Sequence, residues 1–124
     1  MHQRSLGPLG ARASLRLVSE LAARDAELAT LQQDFFDSWI EAEPEEASSM
    51  GLVDPIGRLR DPTVAAALSR GRAASAVLSK LARLEAEGPL DREQRLDVWA
   101  LRAHAREMAL AAERDRAAVS LEEV

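Results

Sequence analysis

Residues 41–51 read EAEPEEASSMG, a proline set inside a long helix-forming run and followed seven residues later by a glycine. How this stretch is read decides the architecture. Proline disfavours helical geometry at the residue before it, so a helix arriving from the N-terminal side stops near Glu43. The same proline suits the first position of a new helix, where its missing N–H is no loss. Glu45 and Glu46 then fall in a first turn, where carboxylates complement the helix dipole. Gly51 can adopt the left-handed conformation that closes a helix. The stretch predicts a short helix over 44–50, set at an angle to its predecessor, with Pro44 and Gly51 as the structural corner.

Upstream, Ser14 reads as the N-cap of a helix that runs to about Ala42. Leu17, Leu21, Leu28, Leu31, Phe35 and Trp39 recur at helical spacing and form its apolar stripe, widened by Phe36 and Ile40. Residues 1–13 contain Gly7, Pro8 and Gly10 and read as a disordered arm. Downstream, GLVDPIGRLRDP (51–62) reads as a loop. Asp61 and Pro62 supply an N-cap and first position for a helix that runs to about Glu87. Its apolar positions repeat as Val64, Gly71 and Leu78, with Ala67, Ala74 and Leu81 in a second heptad row. A glycine inside a helix costs about 1 kcal/mol relative to alanine, so Gly71 is expected at a close helix contact.

Gly88-Pro89 ends that helix. Asp91 caps the last one, and Gln94 three residues on completes a variant capping box. This helix is expected to reach Arg116, with 117–124 as a fraying tail. Leu96, Trp99, Ala103 and Leu110 read as its main, core-facing stripe. Leu101, Ala105, Met108 and Ala112 make a second apolar stripe, read as a partner face that would otherwise meet water. Period-two alternation and hairpin turns are absent. The expectation is an all-α fold, an antiparallel bundle of three long helices plus one short helix, in a single domain over 14–116.

Composition narrows the function. The chain has 124 residues, 47% hydrophobic but only 3% aromatic, and a net charge of −5. An acidic chain is a poor partner for nucleic acid, which needs a clustered positive surface. No segment reaches the roughly 18 consecutive apolar residues of a membrane-spanning helix, and the N-terminus has no apolar stretch of the secretory kind. The chain has no cysteine, so it has neither disulfides nor thiolate chemistry, which fits a reducing cytoplasm. Its cations are arginine apart from Lys80, and with the alanine excess this points to the GC-rich coding of a bacterium.

Catalytic groups are sparse. His104 and Glu107 share a helix face, but a zinc site needs three or four ligands, and a surface pair explains them better. Glu41, Glu43, Glu45 and Glu46 read as solvated carboxylates rather than an acid–base pair. Asp54 before Pro55 is a turn initiator. Ser48-Ser49 lacks a histidine nearby and a nucleophile elbow, and no glycine-rich phosphate loop is present. Trp39 and Trp99 read as core residues able to touch one another. No catalytic, metal or cofactor residue is expected.

Three segments together carry a family likeness: FFDSWIEAEPEEASSMGL (35–52), DPIGRLRD (54–61) and PLDREQRLDVWALR (89–102), with a long alanine-leucine helix before the third. In order and spacing they resemble the N-terminal region of the bacterial family called domain of unknown function 885. The positions that carry the resemblance are Pro44, Ala47, Ser48, Gly51, Arg58, Leu59 and Asp61, then Leu90, Asp91, Glu93, Arg95, Leu96 and Asp97. It covers roughly residues 28–113. The resemblance implies a mostly helical protein, longer than this chain and similar to zinc-dependent peptidases with a His-Glu-x-x-His helix downstream. This sequence has no such motif, so no catalytic residue carries over. The expectation is a non-catalytic helical domain that packs on a protein partner, or a truncated product. The alternative is a self-associating, coiled-coil-like adaptor joined through the 64–85 heptads.

Overall fold

A computed structural model describes residues 8–51 and 61–122, with backbone alone at 8–11, 13 and 119–122. The described residues form four helices and no strand: α1 (Pro8–Ala42), α2 (Pro44–Ser49), α3 (Val64–Ala86) and α4 (Arg92–Glu122). None of them is long and apolar enough to cross a membrane. Most of the loop expected over 51–62 lies outside the described residues, as do 1–7 of the expected arm.

The corner forms as its residues dictate. Pro44 opens α2, and the N–H of Met50 donates to Glu46 O at its other end. Gly51 follows with φ +74°, and its N–H donates to Ser48 O at 2.9 Å. Pro44 and Ala47 are both buried, which fastens the short helix to its neighbours.

Three boundaries differ from expectation. Helix α1 begins at Pro8 rather than Ser14. Gly10 costs only about 1 kcal/mol inside a helix, and Leu9, Ala11, Arg12 and Ala13 are strong helix formers. Helix α3 is capped by Thr63, not Asp61: the Thr63 hydroxyl accepts the N–H of Ala66 at 3.1 Å. Asp61 lies outside the helix and accepts the N–H of Thr63 at 2.9 Å, leaving Pro62 in the approach. That bond, first of all, holds the Asp61 carboxyl below its ordinary pKa. A depressed folded-state pKa gives stability that is present above the unfolded value and lost as pH falls through the folded one. Helix α4 continues past Arg116 to Glu122, since Ala117 and Ala118 favour helix and no glycine or proline follows.

The start of α4 matches its sequence. Gln94 N–H donates to Asp91 Oδ1 at 2.8 Å, and Asp91 N–H donates to Gln94 Oε1 at 3.0 Å. The Gln94 amide has a second task. Its Nε2 donates to Leu21 O at 2.9 Å and to Asp25 Oδ1 at 2.7 Å, tying α4 to α1. Gln94 is almost completely buried, and its hydrogen bonds offset the cost of burying it.

Helices α3 and α4 make the most extensive contact. Gly71 is half-buried on this seam, and a methyl group there would sit 3.6 Å from Ala112 Cβ, an ordinary contact, so the position has room for alanine and the close contact expected of a glycine is not required. Glu85 pairs with Arg102 near one end of this seam, and Arg70 with Asp115 at 3.2 Å near the other. Ala67, Ala74 and Leu81, the second heptad row, are buried. The main core joins Leu28 and Leu31 of α1 to Val77, Leu81 and Leu84 of α3 and to Val98, Leu101 and Ala105 of α4. A smaller cluster of Ala42, Ala74 and Met108 lies beside it, and Phe35 packs against both.

Replacing Gln94 with alanine removes half of the capping box and both bonds to α1. The expected loss is about 2–3 kcal/mol in urea unfolding. Gln33 bonds only Asp37 on the surface, and its replacement by alanine is expected to cost less than about 0.5 kcal/mol.

Candidate functional site

Helix α4 has two apolar faces, and packing assigns them the reverse of the roles expected from their residues. The expected partner face is core: Leu101 is 6% exposed, Ala105 0%, Met108 8% and Ala112 4%. The expected core stripe faces solvent: Leu96 is 55% exposed, Trp99 69% and Leu110 57%, with Ala103 also exposed. At about 3.6 residues per turn the two stripes lie on opposite sides of the helix. The reason is steric. Ala105 and Ala112 let α4 come close to α3, whereas a face built on Trp99 and Leu110 would hold the helices apart.

The tryptophans therefore separate. Trp39 is partly buried against the Ala42–Ala74–Met108 cluster and stacks on Phe36 with ring centroids 6.3 Å apart. Trp99 stands in solvent and shares no core with it.

The outer face of α4 is apolar with charged edges, arginines outnumbering the exposed Glu107 and Glu113. Arg92, Arg95, Arg106 and Arg114 are exposed along it. Arg114 reaches Glu107 at 3.4 Å. Arg116 and Glu113 pair to one side, and this contact holds the Glu113 carboxyl below its usual pKa.

A cleft of about 390 Å³ opens where the end of α1, the α2 corner and α4 meet, lined in part by Trp39, Glu46, Arg70, His104 and Met108. Its chemistry is structural. Arg70 is spent on Asp115 and on Asp61 O, to which it donates at 3.1 Å. His104 is exposed, with its ring 6.4 Å from that of Phe35. Among the described residues, no three of His, Cys, Asp and Glu gather in reach of one metal ion.

Arg24 is a buried polar residue of α1. It is 9% exposed, and its guanidinium donates to Glu87 O at 3.2 Å, at the C-terminal end of α3. A cation there complements the helix dipole. The guanidinium passes so close to Gly88 that a side chain at that position would collide with it. The signal was in the spacing: Leu21, Arg24, Leu28 and Leu31 follow one helical stripe, and Arg24 shares its burial.

No protein-family model matches the chain, and no curated protein or solved structure matches it either.

The two faces of α4 predict opposite responses to the same change. Ala105→Glu places a carboxylate in a closed core and is expected to cost more than about 4 kcal/mol or to prevent folding. Trp99→Glu is expected to alter stability by less than about 0.5 kcal/mol. Thermal melts of the two variants beside the unmodified chain check this.

Proposed function

We propose that this chain is a non-catalytic helical module whose three long helices form an antiparallel bundle, with the outer face of α4 as a docking surface for a protein partner. The supporting observation is the stripe of Leu96, Trp99, Ala103 and Leu110, which is exposed although α4 already has a complete buried face. Contiguous exposed apolar surface with polar edges marks interaction sites, and tryptophan flanked by arginine is the composition that dominates binding energy at interfaces.

The adaptor alternative is narrowed by burial. Ala67, Ala74 and Leu81 are taken up inside the chain, so a seam through the 64–85 heptads would have to be built on half-buried Val64, Gly71 and Leu78. The outer face of α4 needs no such rearrangement.

The resemblance of residues 28–113 to the N-terminal region of the 885 family offers one setting, the helical portion of a larger protein. In that reading the module carries none of the family's hydrolytic chemistry. A cytoplasmic location accords with the lack of cysteine. The proposal rests on the exposed stripe, and the resemblance carries none of its argument.

A photo-crosslinking residue placed at position 103 tests the surface in cells. Discrete adducts are expected, and Leu96→Ser with Leu110→Ser should abolish them while leaving the melting temperature unchanged. Adducts that survive those substitutions, or none at all, would contradict the proposal.

A further inference from the structure

Helix α1 is held to α3 and α4 by few groups, and one of them works against the contact. The described side chains from Arg12 to Glu20 are all exposed. Burial begins at half-buried Leu21 and continues through Arg24, Leu28 and Leu31. At the far end Ala42 is buried, followed by Pro44 and Ala47 of α2. The helix is thus pinned at the corner and clasped near Arg24, with a solvated arm of about three turns beyond the clasp.

The clasp is costly to close. Arg24 is buried and donates only through Nη2, to Glu87 O. Its Nε and Nη1 are also buried and find no acceptor among the described residues. A guanidinium cannot shed its charge, so these donors lose water and gain nothing in return. Lifting α1 would rehydrate them. Burial of Leu28 and Leu31 opposes that movement and keeps the closed form dominant.

Much of the molecule survives the lifting of α1. Gln94 and Asp91 keep their reciprocal cap within α4. The bonds from Gln94 Nε2 to Leu21 O and Asp25 are exchanged for water. The seam between α3 and α4 keeps Ala67, Ala112 and the ion pairs Glu85–Arg102 and Arg70–Asp115, none of which involves α1.

We propose that α1 is a releasable strap. It lifts from its Arg24 end, about the corner of Ala42, Pro44 and Ala47, while α3 and α4 stay paired. The movement uncovers Leu81, Leu84, Val98 and Leu101. It is a partial opening with its own free energy, smaller than that of global unfolding. The underbonded Arg24 sets how often it occurs, since a buried charge fixes register while lowering stability. The strap does not rest on the docking role of α4, whose outer face meets solvent whether α1 is closed or lifted.

Native-state hydrogen exchange, resolved by residue with NMR in low urea, tests this. Amides of residues 24–32 are expected to share one opening and to exchange at least about tenfold faster than those of residues 67–74, because a helix without its packing is marginal in water. The chain has no cysteine, so Val98→Cys gives a second reading of the same event. Position 98 is buried in the closed form, one turn on from Gln94, and its thiol is labelled only when α1 lifts. Labelling and exchange should return the same opening constant. Arg24→Met keeps an unbranched side chain and removes the unpaired donors. It is expected to slow both readings by at least about tenfold.

Three results would overturn the proposal. If residues 24–32 exchange no faster than residues 67–74, the three long helices open as one unit. If they exchange faster while the thiol at position 98 stays as protected as the seam, α1 frays in place and does not lift. If Arg24→Met leaves exchange unchanged, speeds it or prevents folding, Arg24 anchors α1 and the strap has no built-in release.

Discussion

The close approach of α3 and α4 governs the rest of the molecule. Ala67 and Ala74 of α3 and Ala105 and Ala112 of α4 are all buried and leave little side chain between the helices. Small residues at such a seam bring many atoms into dispersion contact and let the larger residues interlock at either side. Leu81 and Leu84 of α3 then meet Val98 and Leu101 of α4 at the wider end, where Leu28 and Leu31 of α1 complete the core. With α4 turned this way, Leu96, Trp99, Ala103 and Leu110 have no place inside the chain. The apolar surface that invites a partner is thus a by-product of the tight seam.

The third helix is held by a different device. Only a few positions of α1 reach the core, and polar bonds set its register. Gln94 caps α4 and grips α1 through Leu21 O and Asp25. Arg24 crosses to the end of α3, where Gly88 leaves it room. Polar contacts of this kind discriminate between registers better than leucines do, because a shift by one residue leaves a buried amide or guanidinium without its bonds.

Signals made by local chemistry were legible in the sequence. The Pro44–Gly51 corner, the reciprocal Asp91–Gln94 cap and the all-helical class depend on residues a few positions apart, and each forms as read. Signals that depend on tertiary choice were not. Both stripes of α4 have helical periodicity, and bulk favours Leu96, Trp99 and Leu110, yet close packing rewards Ala105 and Ala112. Thr63 displaced Asp61 as the cap because its extended backbone already aims its hydroxyl at Ala66. The start at Pro8 is hidden because Gly10 reads as a breaker, although a helix absorbs one glycine at modest cost. For the candidate site, every residue of the outer stripe was visible in the sequence, and its exposure was not.

The orientation of α4 is the claim on which the docking reading stands, and Trp99 reports on it directly. With Trp39 replaced by phenylalanine, Trp99 is the remaining tryptophan. Its fluorescence, measured with acrylamide at a concentration where light scattering shows a monomer, reads its contact with water. The account predicts emission as red as that of free indole in water and quenching close to that of an unfolded control. Blue-shifted emission protected from acrylamide would place Trp99 in the core and contradict the assignment of both faces of α4.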